Sequence, residues 1–330
     1  MTVQIRTSGW RNLVCCIGAL LAIEASPARA FGSEGHQTIG AIAEQQLVGS
    51  RAEREVKGIL LSGETLSSVS IWADCAKGYC GALTDEMKTF VHANPRHHDY
   101  HFADVPYQLE RYQFPGVGTG ENDVVHILQQ CISVLRGKTG AADNPHDLTR
   151  RQALLLLVHL VGDVHQPLHV GTGYIDDNDD FVIPLTQADV DDGKVLSTHG
   201  DNYLQLGSRP LHSYWDTDVI KSAMRRAKGT SPVDYAALLI SRVPSPPSAT
   251  DDAASWPERW ANESLALAKR AHELVAIGER TEAQDRYGGT HVAWPVTVPL
   301  SYLRMAPRTA EKAIANAGYR LAEVLRTIWP

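Results

Sequence analysis

The chain has 330 residues, of which 43% are hydrophobic and 21% charged, and a net charge of −7. That length fits one large domain. The acidic balance excludes a general surface attraction to phosphates, so action on a polyanion would need localised cations; the lack of any run of ~18 uninterrupted apolar residues excludes a permanent membrane-spanning helix.

Residues 1–30 read as a targeting segment. Arg6 and Arg11 precede the apolar run Leu13–Ile23, and Ala28-Arg29-Ala30 has the small-x-small form that signal peptidase cleaves. Cleavage after Ala30 makes Phe31 the first residue of an exported chain, periplasmic or secreted. Losing Arg6, Arg11, Arg29 and Glu24 with the segment takes the charge from −7 to −9. Residues 31–330 show no internal repeat and no Pro/Gly/Ser-rich linker, so they are expected to form a single domain.

His36 closes FGSEGH and is followed by the apolar stripe Ile39, Ile42, Ala43 and Leu47, spaced for one helix face. Asp74 ends IWAD. Beyond the targeting segment three cysteines remain; in an oxidising compartment Cys75 and Cys80 form the favoured disulfide, leaving Cys131 as a buried thiol. His101, Phe102 and Asp104 lie in HFADVP, among aromatic neighbours. Taken singly, Asp74 reads as a helix cap and His101 as a satisfied polar residue. A second helical stripe is Val124, Ile127, Leu128, Cys131 and Leu135.

The centre of the chain is HLVGDVHQPLH, His159 to His169, within and just beyond the apolar run Leu154–Val164. His159 and Asp163, four residues apart, stand on one helix face. A lone histidine on such a helix is usually a hydrogen-bonded core residue, but a carboxylate on the same buried face is expensive to desolvate without a cation. No Lys or Arg lies between Gln152 and Gln166, so a metal is the candidate cation. Pro167 ends the helix, letting the chain turn and bring His169 back to the same pocket. His165 faces elsewhere and reads as structural or as a support behind the ligands.

Gly171–Gly200 carries seven aspartates, among them Asp176, Asp177, Asp179, Asp180 and Asp189. It reads by default as a solvated loop, and more sharply as a lid binding Ca²⁺ or screening substrates by charge. His212 and Asp216 repeat the four-residue spacing in LHSYWD. Further helical stripes occupy Tyr235–Val243, Trp260–Val275 and Ile314–Ile328, with Pro244–Ala249 a loop between helices. Few stretches alternate as strands do, so the expected class is mainly α.

Taken together and in order, FGSEGH, IWAD, HFAD, HLVGDVHQPLH, GDN and LHSYWD resemble the trinuclear-zinc single-strand-specific nucleases and 3′-nucleotidases (S-one/P-one type). WANESLALA (260–268) and KAIANAGYRLAEVL (312–325) resemble that family's later helices. The resemblance implies a multi-helix bundle of the phospholipase C/P-one nuclease type with long loops, and three Zn²⁺. One would be held by Asp74, His101, His159 and one Asp163 oxygen. A second would take the other Asp163 oxygen, His36, and the α-amine and carbonyl oxygen of Phe31. The third would lie between His169, His212 and Asp216. The family's Trp at the mature N-terminus is Phe31 here, which matters little if only backbone atoms ligate. His92, His97 and His98 stand near His101, and the HFADVP match selects His101.

By the same resemblance Asp104 orients or activates the attacking water, Asp163 bridges two metals, and Phe102 stacks on a nucleobase. The implied activity is hydrolysis of RNA and single-stranded DNA to 5′-phosphorylated products, with 3′-nucleotidase activity, by a monomer. The alternatives are a zinc-dependent phospholipase C, which tends to have Glu where LHSYWD has Asp216, or a non-catalytic zinc-binding exported protein.

Overall fold

A computed structural model describes residues 31–330 apart from 139 and 285–288; the expected targeting segment lies outside the described residues. The fold is mainly helical. Helices α1 (Gly32–Leu47), α2 (Trp72–Ala76), α3 (Val124–Leu135) and α4 (Arg150–His165) are followed by α5 (Val219–Ala227), α6 (Pro232–Arg242), α7 (Trp256–His272) and α8 (Leu300–Ile328).

The bundle is built around α4. Thr149 caps its N-terminus, accepting from the Gln152 N–H while the Gln152 side chain returns to the Thr149 N–H. From Gln152 to His165 every residue is buried, and α1, α3, α7 and α8 all pack against this helix. A helix apolar all round belongs inside a protein. Leu154 through Val158, Leu160, Val161 and Val164 are essentially inaccessible, and each such side chain contributes roughly 1.5–3 kcal/mol on burial. The expected stripes of α1 and α3 face this core, Asp123 capping α3 at the N–H groups of Val125 and His126.

After α4 the chain breaks as Pro167 dictates. Gln166 is extended (φ −83, ψ 119) and Pro167–His169 form one 3₁₀ turn. Val105–Pro106 then pairs in parallel with Gly171–Thr172, while the Ala103 N–H donates to the His169 carbonyl (2.9 Å). HFAD is thereby laced to the end of HLVGDVHQPLH.

The acidic segment is ordered. Tyr174–Ile175 pairs with Leu196–Ser197, closing it as a flap. The Asp176 carboxylate accepts from the N–H groups of Asn178 and Asp180, and Asp179 accepts from Arg280 Nε (2.7 Å) and Trp294 Nε1 (2.8 Å). Among the described residues no three ligand-type side chains converge there to match the expected Ca²⁺. Thr290–Thr297 forms a small sheet with Leu204–Leu206, Ala276–Ile277 and Thr281–Gln284. Only Ala293, Trp294 and Val296 of this strand are buried, so its sequence alternates too little to announce a strand. Among the described residues no helix is long and apolar enough to cross a membrane.

Candidate metal centre

Four separated stretches meet at the C-terminal half of α4. His159 and Asp163 project from that helix with their side chains fully buried, and His159 Nε2 lies 3.2 Å from Asp163 Oδ2. His101 brings Nδ1 within 2.9 Å of the same oxygen. His36, from α1, stacks on His159 at 4.0 Å and places Nε2 3.3 Å from the other oxygen, Oδ1. Asp74 stands on the far side, with Oδ1 3.9 Å from His159 Nε2. Gly162 makes the His36 approach possible, since a Cβ there would lie 2.7 Å from His36 Nδ1.

Beyond the Pro167 break a second constellation forms. His169 Nε2 faces His212 Nε2 at 3.2 Å, and Asp216 Oδ2 is 3.2 Å from His212 Nε2. Leu211–Ser213 is one helical turn and Tyr214–Asp218 a π-turn, a local widening that recurs at functional sites.

Outer partners fix which nitrogen faces inward. His159 Nδ1 donates to the Ser70 carbonyl (2.6 Å), His169 Nδ1 to the His101 carbonyl (2.8 Å) and His212 Nδ1 to the Gly200 carbonyl (2.5 Å). Each Nε2 therefore aims its lone pair into the centre, the tautomer that metal binding requires. Gln166 Nε2 donates to Asp216 Oδ1 (2.8 Å), leaving Oδ2 inward.

The donor set fits cations. His101 Nδ1 and His159 Nε2 face each other at 3.1 Å and both lie within 3.2 Å of Asp163 Oδ2, so three atoms of metal-ligand type converge. Both nitrogens of His36, both oxygens of Asp74, Asp163 Oδ1 and Asp216 Oδ2 are buried without a hydrogen bond. Buried polar atoms are normally paired, so this concentration of orphans in one place marks sites for ions. Three groups could each hold one: His36, Asp74 and His159; His101, His159 and Asp163; His169, His212 and Asp216. Asp74 thus falls beside His36 as well as in the set with His101 that the resemblance implies.

Charge follows the same geometry. Burial pulls His36 below its ordinary pKa, His101 to about 3 and His169 to about 4, so these imidazoles stay neutral and free to ligate. Burial alone would also lower His159, but Asp163 and Asp74 outweigh it and raise it. Burial would lift Asp163, yet the three surrounding histidines hold it well below the carboxylate range.

At the mouth, Asp104 is half-buried. Its N–H donates to the Gly118 carbonyl (2.7 Å), its carbonyl accepts from Tyr174 Oη (2.7 Å), and burial pushes its carboxyl up to about 7. Phe102 beside it is 37% exposed, unlike the core aromatics. Phe31 is fully buried, and the adjoining Gly32 lies against the Asp216 carbonyl, so the start of the described chain reaches the centre. His97 packs on Phe90 outside the three groups, and His165 donates to the Val161 carbonyl and meets Arg320 at 2.8 Å. Lys77 went unnoticed in the sequence, where it looks like an ordinary last-turn lysine. Its nearly buried ammonium lies 3.4 Å from Asp74 Oδ1 without hydrogen-bond geometry and 5.1 Å from the Tyr79 ring, on a turn closed by the Cys75–Cys80 disulfide.

A helical bundle whose core carries convergent histidines and carboxylates has the ligand types of a metal-dependent hydrolase. The chain belongs to the S1/P1 nuclease family, whose sequence profile matches residues 31–330. It is thus a hydrolase acting on nucleic acids, in a family that is zinc-dependent in general. It is 24% identical to Endonuclease 1 of Arabidopsis thaliana over 342 residues, covering 96% of this chain and 93% of that protein. It is 24% identical to Nuclease S1 of Aspergillus oryzae over 313 residues, covering 90% and 91%.

Proposed function

We propose that the chain is a zinc-dependent phosphodiesterase that hydrolyses RNA and single-stranded DNA to 5′-phosphorylated products and also removes 3′-phosphates from nucleotides. The observation that carries this reading is the shared carboxylate. Asp163 offers one oxygen toward His36 and the other toward His101 and His159, as a residue bridging two ions must. His36 with the backbone of Phe31, and Asp74 with His101 and His159, would hold the two Zn²⁺ that Asp163 joins; His169, His212 and Asp216 would hold a third. Zinc bound there supplies Lewis-acid charge to the phosphate and lowers the pKa of water.

The chain's own groups supply the rest. Asp104 accepts a hydrogen bond from the attacking water and orients it in line with the departing 3′-oxygen, and burial keeps its carboxyl basic enough to take the proton. Lys77 offsets phosphate charge beside Asp74, doing locally what an acidic surface cannot do globally. Phe102 offers its exposed ring to a base, and stacking accepts any base but requires it to be unpaired.

The test is a release assay on single-stranded DNA, RNA, duplex DNA, adenosine 3′-phosphate and phosphatidylcholine, with and without chelator, beside metal analysis of the chain beginning at Phe31. Three zinc ions and chelator-sensitive release from the first, second and fourth substrates are expected. Phosphatidylcholine cleavage, or full turnover without zinc, would overturn the reading.

A further inference from the structure

A cleft outside the metal centre remains without a role. The half-buried outer face of α3 and the segment 111–115 enclose a cavity of about 470 Å³ walled by Arg111, Gln113, Phe114, His126, Gln129 and Glu258. A second cavity of about 620 Å³ shares His126 and Gln129 with it and continues along α3. The two form one track.

The track has a rigid aromatic floor. Phe114 is 46% exposed, although a ring of its size is normally covered. It meets the His126 ring in a T-shaped contact at 4.4 Å and 70°. His126 is itself fixed, with Nδ1 3.0 Å from Asp123 Oδ1, while Tyr112 Oη donates to Asp123 Oδ2 at 2.7 Å. Arg111 is exposed at the rim. Gln113 brings an amide that can both donate and accept, and Gln129, whose Nε2 donates to the Ala254 carbonyl (3.2 Å), keeps its Oε1 and a second N–H.

The track also adjoins the centre. The Val124 N–H at the head of α3 donates to the Phe102 carbonyl (3.2 Å), and the Gly118 carbonyl at the end of the 111–119 loop accepts from Asp104 (2.7 Å). Thr119 Oγ1 returns to the Gln113 carbonyl (3.1 Å), tightening the loop that carries Phe114. The head of α3 and the loop that carries Phe114 are thus bonded to the backbone of the segment that carries Phe102 and Asp104.

We infer that this cleft binds a nucleotide flanking the cleaved phosphate on the same single strand. Its base stacks on Phe114, its phosphate pairs with Arg111, and the two glutamine amides meet polar edges of the base. A strand with splayed bases can occupy both aromatic positions, whereas in a duplex the bases are stacked and paired. The inference rests on the nuclease reading above and extends it from one nucleotide to a length of strand.

The experiment compares an eight-nucleotide deoxyadenylate strand with deoxyadenosine 3′-phosphate, using the zinc-loaded chain. Phe114→Ala should lower the ratio of their kcat/KM values about tenfold, with the loss in KM, and Phe114→Tyr should restore it. Arg111→Ala should lower the ratio too and make the log KM of the strand less salt-dependent by a slope of about 0.7. An unchanged ratio in both alanine variants, or equal losses on both substrates, overturns the subsite. If the parent chain hydrolyses neither substrate, the nuclease reading fails separately. The cleft is then judged by fluorescence anisotropy with a labelled phosphorothioate strand of eight nucleotides, where an equal Kd for the parent chain and Phe114→Ala overturns it.

Discussion

At the scale of single residues, the smallest side chain beside the centre is as informative as the largest. Gly162 lies inside α4, where alanine would ordinarily be favoured by ~1 kcal/mol. Its missing Cβ is the space into which His36 leans, with Nδ1 and Cε1 at 2.7 and 2.8 Å from where that carbon would sit. Gly162→Ala is therefore expected to lose about one zinc equivalent and most activity while the helix persists, read by metal analysis beside circular dichroism. Asp163→Asn should be more damaging, because it weakens the ligand proposed to be shared by two ions. At least two zinc equivalents should be lost and turnover should fall by ~10³-fold or more. The His159/Asp163 pair was legible in the sequence because four-residue spacing on a lysine-free apolar helix carries its own electrostatic contradiction. Lys77 was not, because only the folded turn shows that its ammonium points back at Asp74 instead of into solvent.

At the scale of elements, the breaks matter as much as the helices. Pro167 stops α4 where His169 must turn away from the axis, which the sequence announced. The flap was only half announced: its acidity suggested a solvated lid, whereas Tyr174 Oη bonds the Asp104 carbonyl and Gln187 Oε1 accepts from the Gly118 N–H (2.9 Å). The flap thus braces the loop on which Asp104 stands. Tyr174→Phe should reduce kcat several-fold and leave zinc content unchanged, because one net hydrogen bond is worth ~1 kcal/mol; a change confined to KM would contradict the bracing role. The small sheet from 276 to 297 escaped the sequence reading because its central strand is half-exposed and interrupted by Pro295. At the other end, Phe31 is buried beside α1, and the proposed role of its α-amine demands a free N-terminus. A chain with one additional residue before Phe31 should lose a zinc and most turnover, measured by metal analysis and nucleotide release; full occupancy and turnover would refute that role.

At the scale of the whole molecule, the candidate metal centre and the hydrophobic core are one region. His159 and Asp163 share α4 with the leucines that hold the bundle together, and an uncompensated buried charge typically costs 3–5 kcal/mol. Chelation should therefore lower the thermal midpoint by roughly 10 °C or more, since about 1 kcal/mol moves a domain of this size by a few degrees. A separate contribution comes from His165. Burial and the Arg320 guanidinium hold its pKa well below the ordinary 6.5, so its stabilising effect is complete above about 6.5 and is lost as pH falls below that value. Between pH 6.5 and 5 that loss approaches ~1.4 kcal/mol per pH unit. His165→Gln should flatten the urea-midpoint curve over that range, and an unchanged slope would show that His165 is protonated in the folded protein.

Because α4 serves as both central beam and ligand bearer, its core positions are not free to drift independently of chemistry. With zinc held as proposed, a conservative leucine replacement that shifts this helix by a few tenths of an ångström should register first as a weaker hold on zinc and only later as unfolding. Selection for metal scarcity would consequently act on hydrophobic residues that never touch a metal.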